Sequence, residues 1–154
     1  MKAALPARLS RLRARDLMNR EVVTLHPHDS LPEAARRLRE ANVTGAPVVD
    51  PTGRLVGILS ATDVMGSEQS AAAPDLAART ELPRTATVED YMSPRVNTTA
   101  DDTLLVNLAR QMCEGHHHRL IVVDRQQRIC GIVSTMDILA ALVGCVDEAE
   151  AAGS

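Results

Sequence analysis

Aromatic side chains are almost absent from this sequence, which has no Trp, no Phe and a single tyrosine, Tyr91. Hydrophobic residues still make up 45% of its 154 residues, so its core must be built from aliphatic side chains. Surfaces that bind single-stranded nucleic acid stack the bases on aromatic residues. The net charge of −3 also provides no general attraction to a polyanion. We therefore do not expect a nucleic-acid partner.

Cysteine and long apolar runs are also scarce. The three cysteines, Cys113, Cys130 and Cys145, are odd in number and lack the C-x-x-C spacing of zinc ribbons. Free thiols of this kind are typical of a reducing compartment. No continuous apolar segment follows the basic N-terminus. The sequence therefore predicts no disulfide framework, no signal peptide and no membrane span, and we expect a cytoplasmic protein.

One phrase of the sequence occurs twice. Residues 57–63 read GILSATD, and residues 131–137, at an offset of 74, read GIVSTMD. The same offset, without a gap, aligns identical residues along both halves of the chain: Asp16 with Asp90, Met18 with Met92, Leu31 with Leu105, and Val48-Val49-Asp50 with Val122-Val123-Asp124. A run of matches at one offset indicates an internal duplication of a unit of roughly fifty residues.

Each copy predicts the element order β-α-β-β-α. A short β-rich stretch (residues 22–25 and 96–98) precedes an amphipathic helix with apolar residues at i, i+3, i+4 and i+7. The apolar stripe is Leu31, Ala34, Ala35 and Leu38 in copy one, and Leu105, Leu108, Ala109 and Met112 in copy two. Two strands follow, at residues 46–49 and 55–59 and again at 120–123 and 129–133, and a second helix begins near Thr62 and near Thr135.

The start of the first helix differs between the copies. Ser30 and Glu33 form the S-x-x-E pattern of a capping box in copy one. In copy two, Asp101 or Asp102 is the expected cap.

The remaining segments suggest a domain organisation. Residues 66–86 are polar and Ala-rich with two prolines, which is typical of a linker. We predict a basic N-terminal extension at 1–15, repeat one at 16–66, a linker at 67–86, repeat two at 87–144 and a C-terminal tail at 145–154. Leu5, Leu9 and Leu12 share one helical face of the extension. This helix would pack on the module or a partner subunit, or act as a membrane-surface or nucleic-acid arm.

Three motifs recur in register in the two copies. They are D-h-M at the start, h-P-V-V-D (L-I-V-V-D in copy two) on the middle strand, and G-h-h-[ST]-x-x-D at the last strand–helix junction. Copy one carries them at residues 16–18, 44–50 and 57–63, and copy two at 90–92, 118–124 and 131–137. The pattern resembles the CBS domain, and the tandem pair looks like a Bateman module. The resemblance covers about residues 16–143, so no separate catalytic domain remains in this sequence.

The resemblance implies an α+β fold in which two β-α-β-β-α repeats pack sheet to sheet with pseudo-twofold symmetry, leaving two equivalent clefts. Members of this family commonly bind adenosyl ligands in the clefts and often form homodimers. An adenine nucleotide (AMP, ADP or ATP) or S-adenosylmethionine is therefore the expected ligand, and no cofactor is required. Each cleft would join the G-h-h-[ST]-x-x-D end of one copy to the first and middle strands of the other.

This crossed arrangement assigns the ligand-binding residues. One cleft would contain Ser60, Thr62 and Asp63 with Val96, His118 and Arg119, and the other Ser134 and Asp137 with Val22, Thr44, Gly45 and Ala46. A hydroxyl at a helix N-terminus suits a phosphate, a carboxylate suits ribose hydroxyls, and small residues leave room for a base. Ser-x-x-Asp is equally a helix-capping pattern that needs no ligand, and the two interpretations are compatible.

The copies differ where copy one has Thr44-Gly45 and copy two has His118-Arg119. The His-Arg pair resembles the pair with which some family members hold phosphates, and the guanidinium is always charged. The Asp63 cleft would then prefer a phosphorylated ligand, whereas the Asp137 cleft would bind weakly or take a less charged adenosyl compound. Met136 replaces Thr62 and is interpreted as a packing residue.

Three adjacent histidines, His116, His117 and His118, raise the question of a metal site. In a strand, only His116 and His118 would share a face, and no cysteine lies nearby to complete a zinc site. We therefore expect no bound metal.

The expected function is a regulatory module in which a bound ligand changes the packing of the copies and an unknown partner protein responds to the change. The alternative is a structural homodimerisation module with empty clefts. Catalysis is not expected, because the sequence shows no paired carboxylates and no nucleophile with a base.

Overall fold

The structure is a computed structural model that describes residues 6–64 and 85–153. Most of the predicted linker, and Leu5 of the N-terminal stripe, lie outside these residues. The chain forms two compact units. We call Val22–Val96 the copy-one unit, and Met1–Glu21 together with Asn97–Ser154 the copy-two unit.

The elements follow the predicted order, except that the first strand of copy one is reduced to a single bridge. They are a 3-10 turn (Leu9–Arg11), α1 (Ala14–Leu17), α2 (Leu31–Glu40), β1 (Gly45–Val49), β2 (Leu55–Ser60), α3 (Val88–Tyr91), β3 (Thr98–Ala100), α4 (Leu105–Gly115), β4 (Arg119–Val123), β5 (Ile129–Ser134) and α5 (Thr135–Gly153). Residues 61–64 are also helical, where the second helix of copy one is predicted. The fold is mixed α+β with two small sheets, as predicted.

The copy-one unit is built on the antiparallel pair β1–β2, against which α2 packs its apolar face. The predicted stripe is confirmed: Leu31, Ala34, Ala35 and Leu38 are the buried residues of α2. Each fully buried leucine contributes roughly 1.5–3 kcal/mol. Ser30 caps the helix by accepting a hydrogen bond from the Glu33 N–H at 3.3 Å. The Glu33 carboxylate bonds to Arg36, so only half of the predicted capping box is present.

The first strand of copy one is shorter than predicted. Only Leu25 pairs with β1, in a single parallel bridge to Val48, whereas β3 pairs with β4 over three residues. In copy two the Ile121 N–H donates to the carbonyl of Asn97 at 3.1 Å. The residue at the same position in copy one is Pro47, which has no N–H to donate. Proline therefore removes one rung of the ladder.

The copy-two unit contains the three-stranded sheet β3-β4-β5. Leu105, Leu108 and Met112 of α4 are buried, and Ala109 is half-buried. The predicted aspartate cap is wrong, because the N-cap is Leu104 and no side chain caps the helix. The first N–H of α4 is satisfied instead by the Leu12 carbonyl at 2.8 Å, a contact between distant parts of the chain.

The segments that carry the D-h-M motifs are exchanged between the units. Residues 16–18 of copy one lie in the copy-two unit, and residues 90–92 of copy two lie in the copy-one unit. Asn19 exchanges two backbone hydrogen bonds with Ile132, both of 2.9 Å, and Ser93 exchanges two with Ile58, of 2.8 and 2.9 Å. The boundaries of the compact units therefore differ from the boundaries of the sequence repeats.

The glycine of the duplicated phrase permits this exchange. A Cβ atom at Gly131 would lie 2.7 Å from the carbonyl oxygen of Asn19, and one at Gly57 would lie 2.8 Å from that of Ser93. Any side chain at these positions would push the exchanged segment away from the strand.

The backbone geometry repeats at the same offset of 74. The helix-to-strand connection contains a left-handed residue in each copy, Asn42 with φ 55° and His116 with φ 54°. His116 ends α4 and β4 begins at Arg119, so the three histidines lie in the connection before the strand that was predicted at residues 120–123. A left-handed residue ends a helix and redirects the chain.

The N-terminal extension packs on the copy-two unit. Leu9 is 4% exposed in its core, although the local structure is a 3-10 turn instead of the expected helix. Arg8 forms an ion pair with Glu148 of α5. The extension was expected to pack on the module or a partner subunit, or to act as a membrane-surface or nucleic-acid arm. For residues 6–15, the structure shows packing on the module. None of the described helices has both the length and the apolar character needed to cross a membrane.

Candidate ligand-binding corners

The corner of copy one lies where β2 meets the following helix. Ser60 is the last residue of β2, and Asp63 is half-buried three residues later. Asp63 Oδ2 accepts hydrogen bonds from the Ser60 N–H at 2.9 Å and from its hydroxyl at 2.8 Å. The Ser60 hydroxyl in turn accepts from the Asp63 N–H at 3.1 Å. The capping interpretation of the Ser-x-x-Asp pattern is therefore confirmed for copy one.

The corner of copy two repeats this network at the junction of β5 and α5. Asp137 Oδ2 accepts from the Ser134 N–H at 2.7 Å and from its hydroxyl at 2.9 Å. The Asp137 N–H donates back to the Ser134 hydroxyl at 3.2 Å. The last residue of the preceding strand thus holds each aspartate side chain in place. A ligand that binds there does not have to order this side chain.

The caps leave specific polar atoms available. Oδ1 of Asp63 and of Asp137 has no hydrogen-bond partner among residues 6–64 and 85–153. The Ala61 N–H donates to the Thr44 carbonyl at 2.8 Å, and the Thr135 N–H to the His118 carbonyl at 2.9 Å. Each corner therefore offers one free carboxylate oxygen beside a helix N-terminus.

The residue beside the serine differs between the corners. Gly45 is the register partner of Ser60, and Arg119 is the register partner of Ser134. The flanking bonds from Ala61 and Thr135 make both pairs non-hydrogen-bonded, the type with Cα atoms about 4.5 Å apart and close side chains. An exposed guanidinium thus stands beside the copy-two corner, while the copy-one corner has only a glycine there.

Arg119 forms no ion pair with any carboxylate in the described parts of the chain. Its position next to Ser134 was missed by the sequence interpretation, which assigned it only to the Asp63 cleft. The hairpin register contained the signal, because Arg119 is the first residue of β4 and Ser134 is the last residue of β5, paired at the end of the hairpin away from the turn.

The predicted binding residues fall into two groups. His118, Arg119, Ser134 and Asp137 belong to the copy-two unit, and Val22, Thr44, Gly45, Ala46, Ser60, Thr62, Asp63 and Val96 to the copy-one unit. Within the copy-one unit, hydrogen bonds or strand register join Thr44, Gly45, Ser60 and Asp63.

The other copy-one residues lie apart from this network. Ala46 is 1% exposed and belongs to the core, opposite Leu59. Val22 and Val96 are half-buried and lie outside the strands, and Thr62 is exposed.

Two further expectations concern the copy-two unit. Met136 is 68% exposed, so its interpretation as a packing residue within the chain is wrong. His117 contacts the side-chain amide of Asn97, with Nδ1 and Nδ2 3.2 Å apart. Within residues 6–64 and 85–153, no group of three or more His, Cys, Asp or Glu side chains could hold a metal ion.

Comparison with known proteins decides the family. The CBS domain family model matches residues 14–69 and 88–144, which is most of the chain and both copies. The chain belongs to the CBS domain family. The tandem pair of CBS domains predicted from the repeated motifs is thereby confirmed.

Solved CBS domain pairs share the fold. The structure of CBSX2 in complex with AMP is 28% identical, with a TM-score of 0.71 over 86% of this chain and 97% of that chain. The CBS domain pair of protein MJ0100, in complex with 5′-methylthioadenosine and S-adenosyl-L-methionine, is also 28% identical, with a TM-score of 0.67 over 86% and 97%.

A curated relative is much longer than this chain. The L-aspartate semialdehyde sulfurtransferase of Methanocaldococcus jannaschii is 29% identical over 124 residues, which cover 80% of this chain and 22% of that protein. The chain thus spans less than a quarter of the length of this relative.

Proposed function

We propose that the protein is a non-catalytic regulatory module that binds an adenosyl ligand, either AMP, ADP, ATP or S-adenosylmethionine. The observation that carries this proposal is the duplicated corner, in which a capped aspartate keeps one carboxylate oxygen free. CBS domain pairs of 28% identity that hold AMP or S-adenosyl-L-methionine support the ligand class.

The chemistry of the corner suits a nucleoside. A carboxylate oxygen accepts hydrogen bonds from ribose hydroxyls, as the acidic residue does in dinucleotide-binding folds. The backbone N–H groups and dipole of the adjacent helix N-terminus favour a phosphate or another anionic group. Because Oδ2 is engaged in the cap, the free Oδ1 is already held in place before the ligand arrives.

The assignment of further residues stays a prediction. Val96, His118 and Arg119 are proposed to serve the ligand held by Asp63, and Val22, Thr44, Gly45 and Ala46 the ligand held by Asp137. We also propose a homodimer in the cytoplasm, which signals to a partner protein through ligand-dependent packing.

The capping network supports one alternative function. Ser60 and Asp63 satisfy each other without any ligand, as Ser134 and Asp137 also do. A purely structural homodimerisation module would need nothing more from these residues.

Titration calorimetry with AMP, ADP, ATP and S-adenosylmethionine separates the two functions. The chain provides a matched control in Asp90, whose Oδ2 accepts from the Thr87 N–H at 3.1 Å and from its hydroxyl at 3.0 Å. Asp90→Ala therefore removes a similar cap at another helix, α3, at a cost of about 1 kcal/mol in stability. We expect Asp63→Ala and Asp137→Ala each to weaken one binding event at least tenfold, and Asp90→Ala to leave both unchanged.

The same titrations also test which of the two ligands Arg119 serves. If Arg119→Ala and Asp63→Ala weaken the same event, and the double variant loses less than the sum, the two residues serve one ligand. Coupling with Asp137→Ala instead would assign Arg119 to the corner beside it. No heat and no thermal shift with any of the four ligands would leave the structural module as the function.

A further inference from the structure

One methionine in each copy lies against the glycine of the duplicated phrase. Met18 and Met92 are the last residues of the two D-h-M motifs, and both residues are half-buried. A Cβ atom at Gly131 would lie 2.9 Å from Cγ and Sδ of Met18, and one at Gly57 would lie 2.9 Å from Sδ of Met92. Each thioether therefore contacts the strand on which its exchanged segment rests.

The surroundings of each thioether are apolar, and the nearest backbone hydrogen bonds are already made. Met18 packs against the core of the copy-two unit, and Met92 packs against the core of the copy-one unit. The N–H of Met18 and that of the next residue donate to carbonyls at 2.8 and 2.9 Å. The N–H of Met92 and that of its neighbour both donate at 2.8 Å. A new hydrogen-bond acceptor placed on either sulfur would face the core or compete with one of these bonds.

Oxidation places such an acceptor on the sulfur. The sulfur lone pair attacks one oxygen of hydrogen peroxide, the O–O bond breaks, and the departing hydroxide removes the proton from the transferred hydroxyl and leaves as water. The thioether loses two electrons and becomes a sulfoxide, while the peroxide is reduced. A flexible apolar side chain is thereby converted into a polar and chiral one, which no longer suits an apolar contact.

We propose that Met18 and Met92 are oxidation sites for a hydroperoxide, at which formation of the sulfoxide releases the exchanged segment from its glycine. The duplication places the same oxidisable contact in each compact unit. Methionine sulfoxide reductases reverse the modification, so the contact can form again. The proposal does not depend on the ligand of the corners.

A pair of variants isolates these two methionines. The parent chain for the test is Met136→Leu, because Met136 is 68% exposed and would be oxidised whatever its role. The matched variant is the same parent with Met18→Leu and Met92→Leu added. Leucine has nearly the volume of methionine and cannot form a sulfoxide. Met112, which is 4% exposed, serves as the protected reference within each chain.

Both chains are treated with hydrogen peroxide and then with dithiothreitol, which reverses disulfides and sulfenic acids but not sulfoxides. Mass spectrometry of peptides follows each methionine separately. We expect Met18 and Met92 to be oxidised before Met112. The melting temperature of the parent should then fall by at least about 4 °C, whereas the matched variant should keep its own. Methionine sulfoxide reductases A and B together should restore the parent.

Hydrogen exchange locates the effect of oxidation along the chain. The amides of Asn19 and Ser93 donate to the strands beside the two glycines, so each should exchange at least about tenfold faster in the oxidised parent. If the matched variant does not fold, this exchange rate is compared with the extent of oxidation in the parent alone.

Three outcomes overturn the inference. The first is that Met18 and Met92 are oxidised no faster than Met112. The second is a parent that keeps its melting temperature and its amide protection with both methionines oxidised. The third is an equal fall in melting temperature for the matched variant, which would assign the effect to another residue.

Discussion

Replacing Gly131 by alanine tests why the duplicated phrase begins with glycine. The added Cβ would lie 2.7 Å from the Asn19 carbonyl oxygen and 2.9 Å from Cγ and Sδ of Met18. Ordinary heavy-atom contacts are about 3.5–4.0 Å, so a shift of several tenths of an ångström is needed. The Met18 side chain can move, but the Asn19 carbonyl is held by the Ile132 N–H at 2.9 Å.

The expected cost follows from these contacts. Overpacking costs about 1–3 kcal/mol, and weakening one backbone hydrogen bond adds about 0.5–1.5 kcal/mol. We expect Gly131→Ala to lower the free energy of unfolding by about 2–4 kcal/mol, and Gly57→Ala to do the same in the copy-one unit. For a chain of this size the melting temperature should fall by about 2–4 °C per kcal/mol.

The matched control, Gly144→Ala, should change the free energy of unfolding in the opposite direction. Gly144 lies inside α5, and a Cβ atom added to it would have no heavy atom of the described residues within 4 Å. Gly144→Ala should therefore stabilise the helix by up to about 1 kcal/mol. Urea denaturation followed by far-UV circular dichroism measures all three variants. Gly131→Ala with the stability of the wild type would refute the close approach of Asn19 to β5.

Two predictions concern single side chains. The pKa of Asp50 lies below its ordinary value of 3.8, chiefly because the Thr52 hydroxyl donates to the carboxylate, and also because the Arg54 N–H does. A lowered pKa contributes stability that is present above pH 3.8 and is lost as the pH falls through the lower folded value. Near neutral pH, Asp50→Asn should therefore have a lower urea midpoint than the wild type, and this difference in midpoint should close below pH 3.8. A difference that stays constant with pH would contradict this. Burial raises the pKa of the Cys130 thiol, with Asp124 and Asp101 adding to the effect, while Cys113 is exposed and Cys145 is buried. We expect a disulfide reagent to label Cys113 first in the native protein, which mass spectrometry of tryptic peptides would show; faster labelling of Cys130 would count against its burial.

Much of the local structure followed from the sequence because its causes are local. The helical stripe of α2, the Ser30 cap and the Ser-x-x-Asp corners depend on residues within a few positions of one another. The offset of 74 then carried the helical stripe and the corner from one copy to the other, and in the structure the left-handed residues Asn42 and His116 are related by the same offset.

The error at the start of α4 arose because a distant segment decides the local structure there. The expected aspartate cap of α4 is replaced by a bond from the N-terminal segment, whose Leu12 carbonyl accepts from the Leu105 N–H. Asp101 and Asp102 instead use their carbonyls to accept from Arg15 and Arg13 of that segment. Local sequence patterns could not show this competition.

The sequence by itself determined the duplication, the element order and the capped aspartate at each corner, because periodicity, capping and repetition are properties of the chain alone. Only the tertiary structure decided which segment completes which unit, which residue stands beside each serine, and which face of α5 is left exposed. Those outcomes depend on strand register and on the absence of a Cβ at Gly57 and Gly131, where the backbone of a distant segment comes into contact.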